Sequence, residues 1–154
     1  MNTFNTANLK KFIFEANRST YASGDENIWK KQPDGSTTIE YENGLYKYHD
    51  NFFGGEPYGG REVVFFENKP VWMMVYYGLV HDGANKEVYS FLTESLSNTT
   101  VDMPYRGPTK YEKNDWKYEN RLVGDVERFS GTEKIFKNEK CVYEASYMGG
   151  LVNK

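Results

Sequence analysis

The sequence predicts an α+β fold in which a helix followed by an antiparallel β-meander occurs twice. Three observations predict it: two amphipathic helical segments, aromatic-rich strand patterns separated by turn signals, and a similarity between the two halves of the chain. The length of 154 residues fits one domain. We therefore expect residues 1–154 to form a single domain of two repeats, about 1–80 and 81–154. A pseudo-twofold axis would relate the repeats, with two main helices against the concave side of one large curved sheet, or of two packed sheets.

Each half begins with a segment whose apolar residues fall at i, i+3, i+4 and i+7, the spacing of one helix face. The first set is Leu9, Phe12, Ile13 and Ala16, and the second is Val88, Phe91, Leu92 and Ser95. Both segments precede a strand-rich region. We expect both faces to pack on the sheet.

The strand-rich regions resemble each other residue by residue. Residues 41–48 and 111–118 both begin with Tyr-Glu and end with Lys-Tyr at the same spacing. The motif Tyr58-x-Gly60-x-Glu62 then matches Phe129-x-Gly131-x-Glu133. Further matched pairs are Gly54 and Gly124, Phe65 and Phe136, Val71 and Val142, Tyr76 and Tyr147, and Gly78 and Gly149.

Turn residues divide each region into strands. Asn43-Gly44 predicts a type I′ hairpin turn, and the glycine-rich segment 54–60 predicts a bend or bulge. The predicted strands lie near 37–42, 45–51, 61–67 and 70–78, and near 108–112, 116–122, 132–138 and 140–149.

The last strand of the first repeat is apolar on both faces. One face, matched by aromatic or small residues in the second repeat, should belong to the core; it carries Trp72, Met74 and Tyr76. The other face carries Met73, Val75 and Tyr77. We expect a helix or the loop at 18–36 to cover it, with a dimer interface or a binding surface as the alternatives.

Several motifs resemble a bacterial family catalogued as a domain of unknown function, number 5680. They are Tyr48-x-Asp50-x-Phe52-Phe53-Gly54-Gly55, Tyr58-x-Gly60-x-Glu62, Pro70-Val71-Trp72-x-Met74-x-Tyr76-x-Gly78, the Phe91-Leu92 helix and Tyr105-Arg106-Gly107-Pro108. The resemblance covers about 9–149. Family members often follow a helix-turn-helix in transcriptional regulators, which implies a sensing or ligand-binding domain, here without that module. The family brings no established activity and no catalytic residues.

Composition argues against several classes of protein. The net charge of −3 argues against direct nucleic-acid binding through bulk positive charge. One cysteine and two histidines at unrelated positions predict no metal site, and no motif predicts a cofactor. The nearly apolar stretch 70–80 is too short to span a membrane as a helix. The polar N-terminus predicts no signal peptide, so we expect a cytoplasmic protein.

Aromatic residues and one arginine are the candidate ligand-binding residues. They are Tyr48, Trp72, Tyr76, Arg106, Tyr118 and Tyr147. Tyrosine and tryptophan offer apolar faces with polar tips, although each could equally be plain core. Arg106 lies in a rigid turn and could pair with an acidic ligand or with a neighbouring carboxylate.

Two carboxylates are candidates for acid/base chemistry. Glu62 recurs as Glu133, which favours a structural role in accepting backbone N–H bonds from the glycine bend, whereas Asp50 is replaced by Asn120. The leading hypothesis is a small-molecule-binding or sensory module. The alternatives are a hydrolase- or isomerase-type enzyme using Glu62 or Asp50, and a protein-interaction module or homodimer.

Overall fold

A computed structural model describes residues 3–83 and 85–153 and shows one antiparallel sheet of nine strands. The strands in chain order are β1 Lys30–Lys31, β2 Thr37–Asn43, β3 Tyr46–Gly54, β4 Tyr58–Phe66, β5 Lys69–Val80, β6 Lys110–Lys113, β7 Trp116–Asp125, β8 Arg128–Lys137 and β9 Lys140–Leu151. Their order across the sheet is β1-β2-β3-β4-β5-β9-β8-β7-β6. The predicted α+β class is confirmed, as one open sheet.

Both predicted helices are present, α1 at Thr6–Ser19 and α2 at Asn85–Leu96. Their predicted apolar faces are buried. Phe12 stacks on Tyr46 with ring centroids 5.0 Å apart, and Phe91 stacks on Trp116 at 5.3 Å. Each helix therefore packs on the meander of its own half. Neither helix, nor any other in the described residues, has the length and apolar character needed to cross a membrane.

The two meanders join through their last strands, β5 and β9, in the middle of the sheet. Tyr76 pairs there with Tyr147. Trp72, Met74 and Tyr76 are buried on the helix side, as predicted. On the other side Val75 is 41% exposed and Tyr77 56% exposed, so the expected cover over these two residues is wrong. The helices occupy one side of the sheet only.

The first hairpin forms as predicted, but its turn does not. Asn43 pairs with Tyr46, so the two loop residues are Gly44 and Leu45. Of these, Gly44 alone has a positive φ, 62°. A type I′ turn needs positive φ at both loop residues, so that prediction is wrong. The glycine-rich segment is also a hairpin, closed by the pairing of Gly54 with Tyr58.

Candidate functional site

A buried ion pair between Arg106 and Glu133 lies beneath the helices. The Arg106 Nε donates to Glu133 Oε1 at 3.1 Å, and Nη2 donates to the same oxygen. The hydroxyls of Tyr118 and Tyr143 donate to Glu133 at 2.6 Å and 3.0 Å. Burial works against the charged guanidinium, but Glu133 raises the pKa of Arg106 well above its usual value. Arg106 is therefore committed to a neighbouring carboxylate, one of the two partners that the sequence suggested.

The predicted partners of the two glutamates are wrong. Glu133 accepts from side chains and not from the backbone N–H groups of a glycine bend. Gly60 and Gly131 lie within strands, where they pair with Phe52 and Leu122. Because the backbone N–H groups in this region are used in hydrogen bonds between strands, the carboxylates must find hydrogen-bond donors among side chains.

In the first half, Asp50 and Glu62 lie opposite each other on β3 and β4. Both are buried, at 1% and 3% exposure. The Tyr76 hydroxyl donates to Asp50 Oδ1 at 2.5 Å. Glu62 Oε2 has no hydrogen-bond partner among the described residues. Burial raises the pKa of Asp50 to about 7, and burial together with the Asp50 charge raises the pKa of Glu62 to about 8.

Two more buried polar atoms, the Tyr48 hydroxyl and the Trp72 Nε1, make no hydrogen bond of normal geometry to any described residue. The Tyr48 hydroxyl lies beside the Glu62 carboxyl and acts against burial to lower the pKa of that carboxyl. Buried polar groups are normally satisfied by protein or by ordered water. The first half thus carries unmet hydrogen-bonding capacity.

In the second half the residue that corresponds to Asp50 is the neutral Asn120, and its side chain makes hydrogen bonds through both its oxygen and its nitrogen. The Tyr147 hydroxyl donates to Asn120 Oδ1 at 2.6 Å, and the Asn120 amide donates to the Gly107 carbonyl at 3.0 Å. The two halves therefore present a Tyr76–Asp50 pair and a Tyr147–Asn120 pair, which differ by one titratable carboxyl.

A cavity of about 400 Å³ opens beside the first of these pairs. Its aromatic lining residues are Tyr21, Trp29, Phe52, Tyr58, Tyr76 and Tyr89, and its other lining residues include Glu26 and Lys86. Among the lining residues, Tyr76 connects the cavity to Asp50 by a hydrogen bond. The volume lies within the range of small-molecule sites.

The structure distributes the predicted ligand-binding residues over several roles. Tyr76 lines the cavity. Tyr118 and Arg106 belong to the Glu133 network, and Tyr147 bonds Asn120. Tyr48 and Trp72 are fully buried in the core.

Sequence reasoning missed most of the cavity wall. The missed residues include Tyr21 and Trp29, from the connection after α1, and Tyr89, from α2. The spacing in α2 predicts only the side that faces the core, and the turn residues of the connection predict a loop. The aromatic residues Tyr21 and Trp29 close to those turn residues are the sequence signal for this part of the wall.

The opposite side of the sheet carries a shallow apolar groove of about 640 Å³. Its lining includes Val75 and Tyr77 from β5, Val123 from β7 and Met148 from β9. Val123 is 73% exposed and Met148 59% exposed. The apolar character of this face extends across both halves of the sheet.

A third cluster lies where β5 ends beside the start of β9. His81, Cys141 and Glu144 each offer one atom that could bind a metal ion, and these three atoms all lie within 4.8 Å of one another. His81 Nε2 lies 2.9 Å from Glu144 Oε2, a contact at which an ion pair forms when the histidine is protonated. The sequence did not predict this convergence because it arises from the pairing of β5 with β9.

The comparisons with known proteins identify the family. The family described as a domain of unknown function (DUF5680) matches residues 50–152. Neither the curated proteins nor the solved structures gave a match. The matched region runs from Asp50 through β9 and contains Arg106 and Glu133. The chain belongs to the DUF5680 family.

Proposed function

We propose that this domain binds a small molecule in the aromatic cavity and acts as a sensory or binding module. The observation that carries the proposal is the cavity of about 400 Å³ with Tyr76 at its wall and the Asp50 carboxyl behind it. Ligand sites of this size combine aromatic walls with a few polar groups. The resemblance to domains found behind helix-turn-helix modules supports a sensory role.

An internal duplication is part of this proposal. The register supports it, because Tyr48 pairs with Val64 as Tyr118 pairs with Ile135. A side chain on Gly60 would meet the Tyr76 hydroxyl, and one on Gly131 would meet the Tyr147 ring. In this account the second repeat keeps a satisfied polar core, while the first has an open cavity and an additional carboxyl.

A thermal-shift screen against a metabolite library tests the binding proposal. A ligand that binds the native state raises the melting temperature by mass action. Ser90 lines the cavity from α2, so Ser90→Phe should fill it and abolish the shift. Ser97→Phe, at an exposed position just after α2 and outside the cavity lining, is the matched control and should retain it. No shift with any compound, or equal shifts in both variants, would contradict the proposal.

The groove on the opposite side of the sheet supports a second candidate, a protein-interaction or homodimer surface. The exposed Val75, Tyr77 and Met148 are the supporting observation, since soluble proteins rarely expose contiguous apolar patches without a role. Sedimentation of the purified protein tests it. Dimerisation that Tyr77→Glu abolishes would support this candidate, and a monomer at all concentrations would count against a homodimer.

The enzyme alternative has less support. Within the described residues, neither Asp50 nor Glu62 is among those that line the 400 Å³ cavity. Glu62 faces a separate cavity of only about 10 Å³, room for about one water molecule. A substrate in the aromatic cavity would reach Asp50 only through the Tyr76 hydroxyl.

A further inference from the structure

The chemical class of the ligand can be inferred from the walls of the aromatic cavity, an inference that rests on the proposed binding function. The rings meet at steep angles. Trp29 and Phe52 lie 5.4 Å apart at 84°, and Tyr58 and Tyr89 lie 5.9 Å apart at 65°. Rings set at such angles present both faces and edges to the space between them. Aromatic faces attract cations through their quadrupole.

Two of the tyrosines in the wall donate their hydroxyl protons to carboxylates. The Tyr76 hydroxyl donates to Asp50 at 2.5 Å, and the Tyr89 hydroxyl donates to Glu56. A phenol whose proton is held by an anion has a more electron-rich ring and a more negative oxygen, and both changes favour a positive ligand.

The region behind the wall has an excess of acidic groups. Asp50, Glu62 and Glu133 are buried there with the Arg106 guanidinium. Arg106 bonds Glu133, and no lysine or arginine in the described chain makes an ion pair with the other two. The exposed Glu26 and Lys86, which also line the cavity, add one charge of each sign.

This acidic excess is confined to the half with the cavity. In the other half the place of Asp50 is taken by the neutral Asn120, whose oxygen accepts from Tyr147. The Glu133 carboxylate in that half already has the Arg106 cation. Burial raises the pKa values of Asp50 and Glu62, and the Arg106 guanidinium, 5.7 Å from the centroid of the Tyr76 ring, offsets this only in part.

We propose that the cavity binds an organic cation, a substituted ammonium group on a small apolar framework. The aromatic rings contact the alkyl groups around the nitrogen, and the Asp50 carboxylate, through Tyr76, balances its charge. In the first half the bound cation neutralises the Asp50 carboxylate, as Arg106 neutralises the Glu133 carboxylate in the second half.

Three probes of one shape and different charge test the proposal. Choline, neutral 3,3-dimethyl-1-butanol and anionic 3,3-dimethylbutanoate are titrated up to about 10 mM, the range of weak binding. The readout is the Trp29 indole signal in a ¹⁵N NMR spectrum at pH 8. We expect choline to bind at least about tenfold more tightly than the alcohol, and the anion to bind least.

Asp50→Asn reproduces the Tyr147–Asn120 pair of the other half, so the variant should fold and lose the preference for choline. Asp115→Asn, in an exposed loop, is the matched control and should keep it. Equal binding of choline and the alcohol, tighter binding of the anion, or no response to any probe overturns the cation proposal. The library screen with Ser90→Phe judges the binding function separately, because a neutral or anionic ligand would leave it standing.

Discussion

Glu133→Gln and Glu62→Gln should have different effects on stability. Both exchanges replace a buried strand carboxyl by an amide of the same size. In Glu133→Gln the buried Arg106 guanidinium loses its counter-charge, and a described hydrogen bond to the Tyr58 hydroxyl remains at 3.4 Å. Removing one partner of a buried ion pair costs about 3–5 kcal/mol. We expect the free energy of unfolding to fall by about that amount.

Glu62→Gln should behave differently at pH 7. Burial raises the pKa of Glu62 to about 8, so the carboxyl is mainly protonated and the exchange removes little charge. At pH 7 the native wild type holds a proton that the unfolded chain releases above about pH 4.5, whereas the amide is neutral in both states, so the variant should be more stable by up to about 3 kcal/mol. The gain should be larger at pH 9, because there the native wild type must also ionise a buried carboxyl.

Guanidinium chloride unfolding followed by tryptophan fluorescence measures both variants at the two pH values. The wild type at each pH is the reference. Equal losses for the two variants at pH 7, or a loss confined to Glu62→Gln, would refute the assignment of Arg106 to Glu133 and of a protonated carboxyl to Glu62.

Three further predictions follow from the same contacts. Burial raises the pKa of Asp50 in the folded state from 3.8 to about 7, so the native state holds a proton that the unfolded chain releases. The free energy of unfolding should therefore fall between about pH 4 and 7, by up to about 1.4 kcal/mol per pH unit. Asp50→Asn should remove this contribution to the pH dependence of thermal unfolding. Tyr118→Phe should cost about 1–3 kcal/mol because its hydroxyl donates to a carboxylate at 2.6 Å. Tyr48→Phe should cost less, because that hydroxyl lies beside Glu62 but makes no hydrogen bond of normal geometry; chemical denaturation compares the two variants. Gly131→Ala should lower the melting temperature, because its Cβ would lie 2.2 Å from the Tyr147 ring and would push that ring away from Asn120. Gly55→Ala, with nothing within 4 Å, should retain the wild-type circular dichroism melting curve.

The sequence predicts most of the secondary structure because its signals are local. The spacing of Leu9 and Phe12 indicates a buried helix face, and the alternation through Trp72 and Tyr76 indicates a buried strand face; both faces are buried. Most boundaries agree within a few residues, but β4 begins at Tyr58 and β8 at Arg128, three and four residues before their predicted starts, and the short β1 lies in the segment predicted as loop.

The site was harder to predict because it depends on contacts between distant residues. The sequence identifies Arg106 as a candidate and Glu133 as the counterpart of Glu62, but only the folded chain shows that the two bond each other across 27 positions. The turn at Gly44 was mispredicted because Asn-Gly favours type I′, while the register places Asn43 within the strand. The cavity lining from Tyr21 depends on how a connecting segment folds back on the sheet.

The central claim is that the aromatic cavity is the ligand site, and tryptophan indole signals test it most directly. Trp29 lines the cavity, whereas Trp72 is buried in the core and Trp116 packs on α2. The Trp29 indole signal is the one that disappears from the ¹⁵N spectrum of Trp29→Phe. We would then record spectra of the wild type while adding a compound selected by the thermal-shift screen. A shift of the Trp29 signal with the Trp116 signal unchanged is the predicted result. An unchanged Trp29 signal at saturating compound, with changes elsewhere, would contradict the claim.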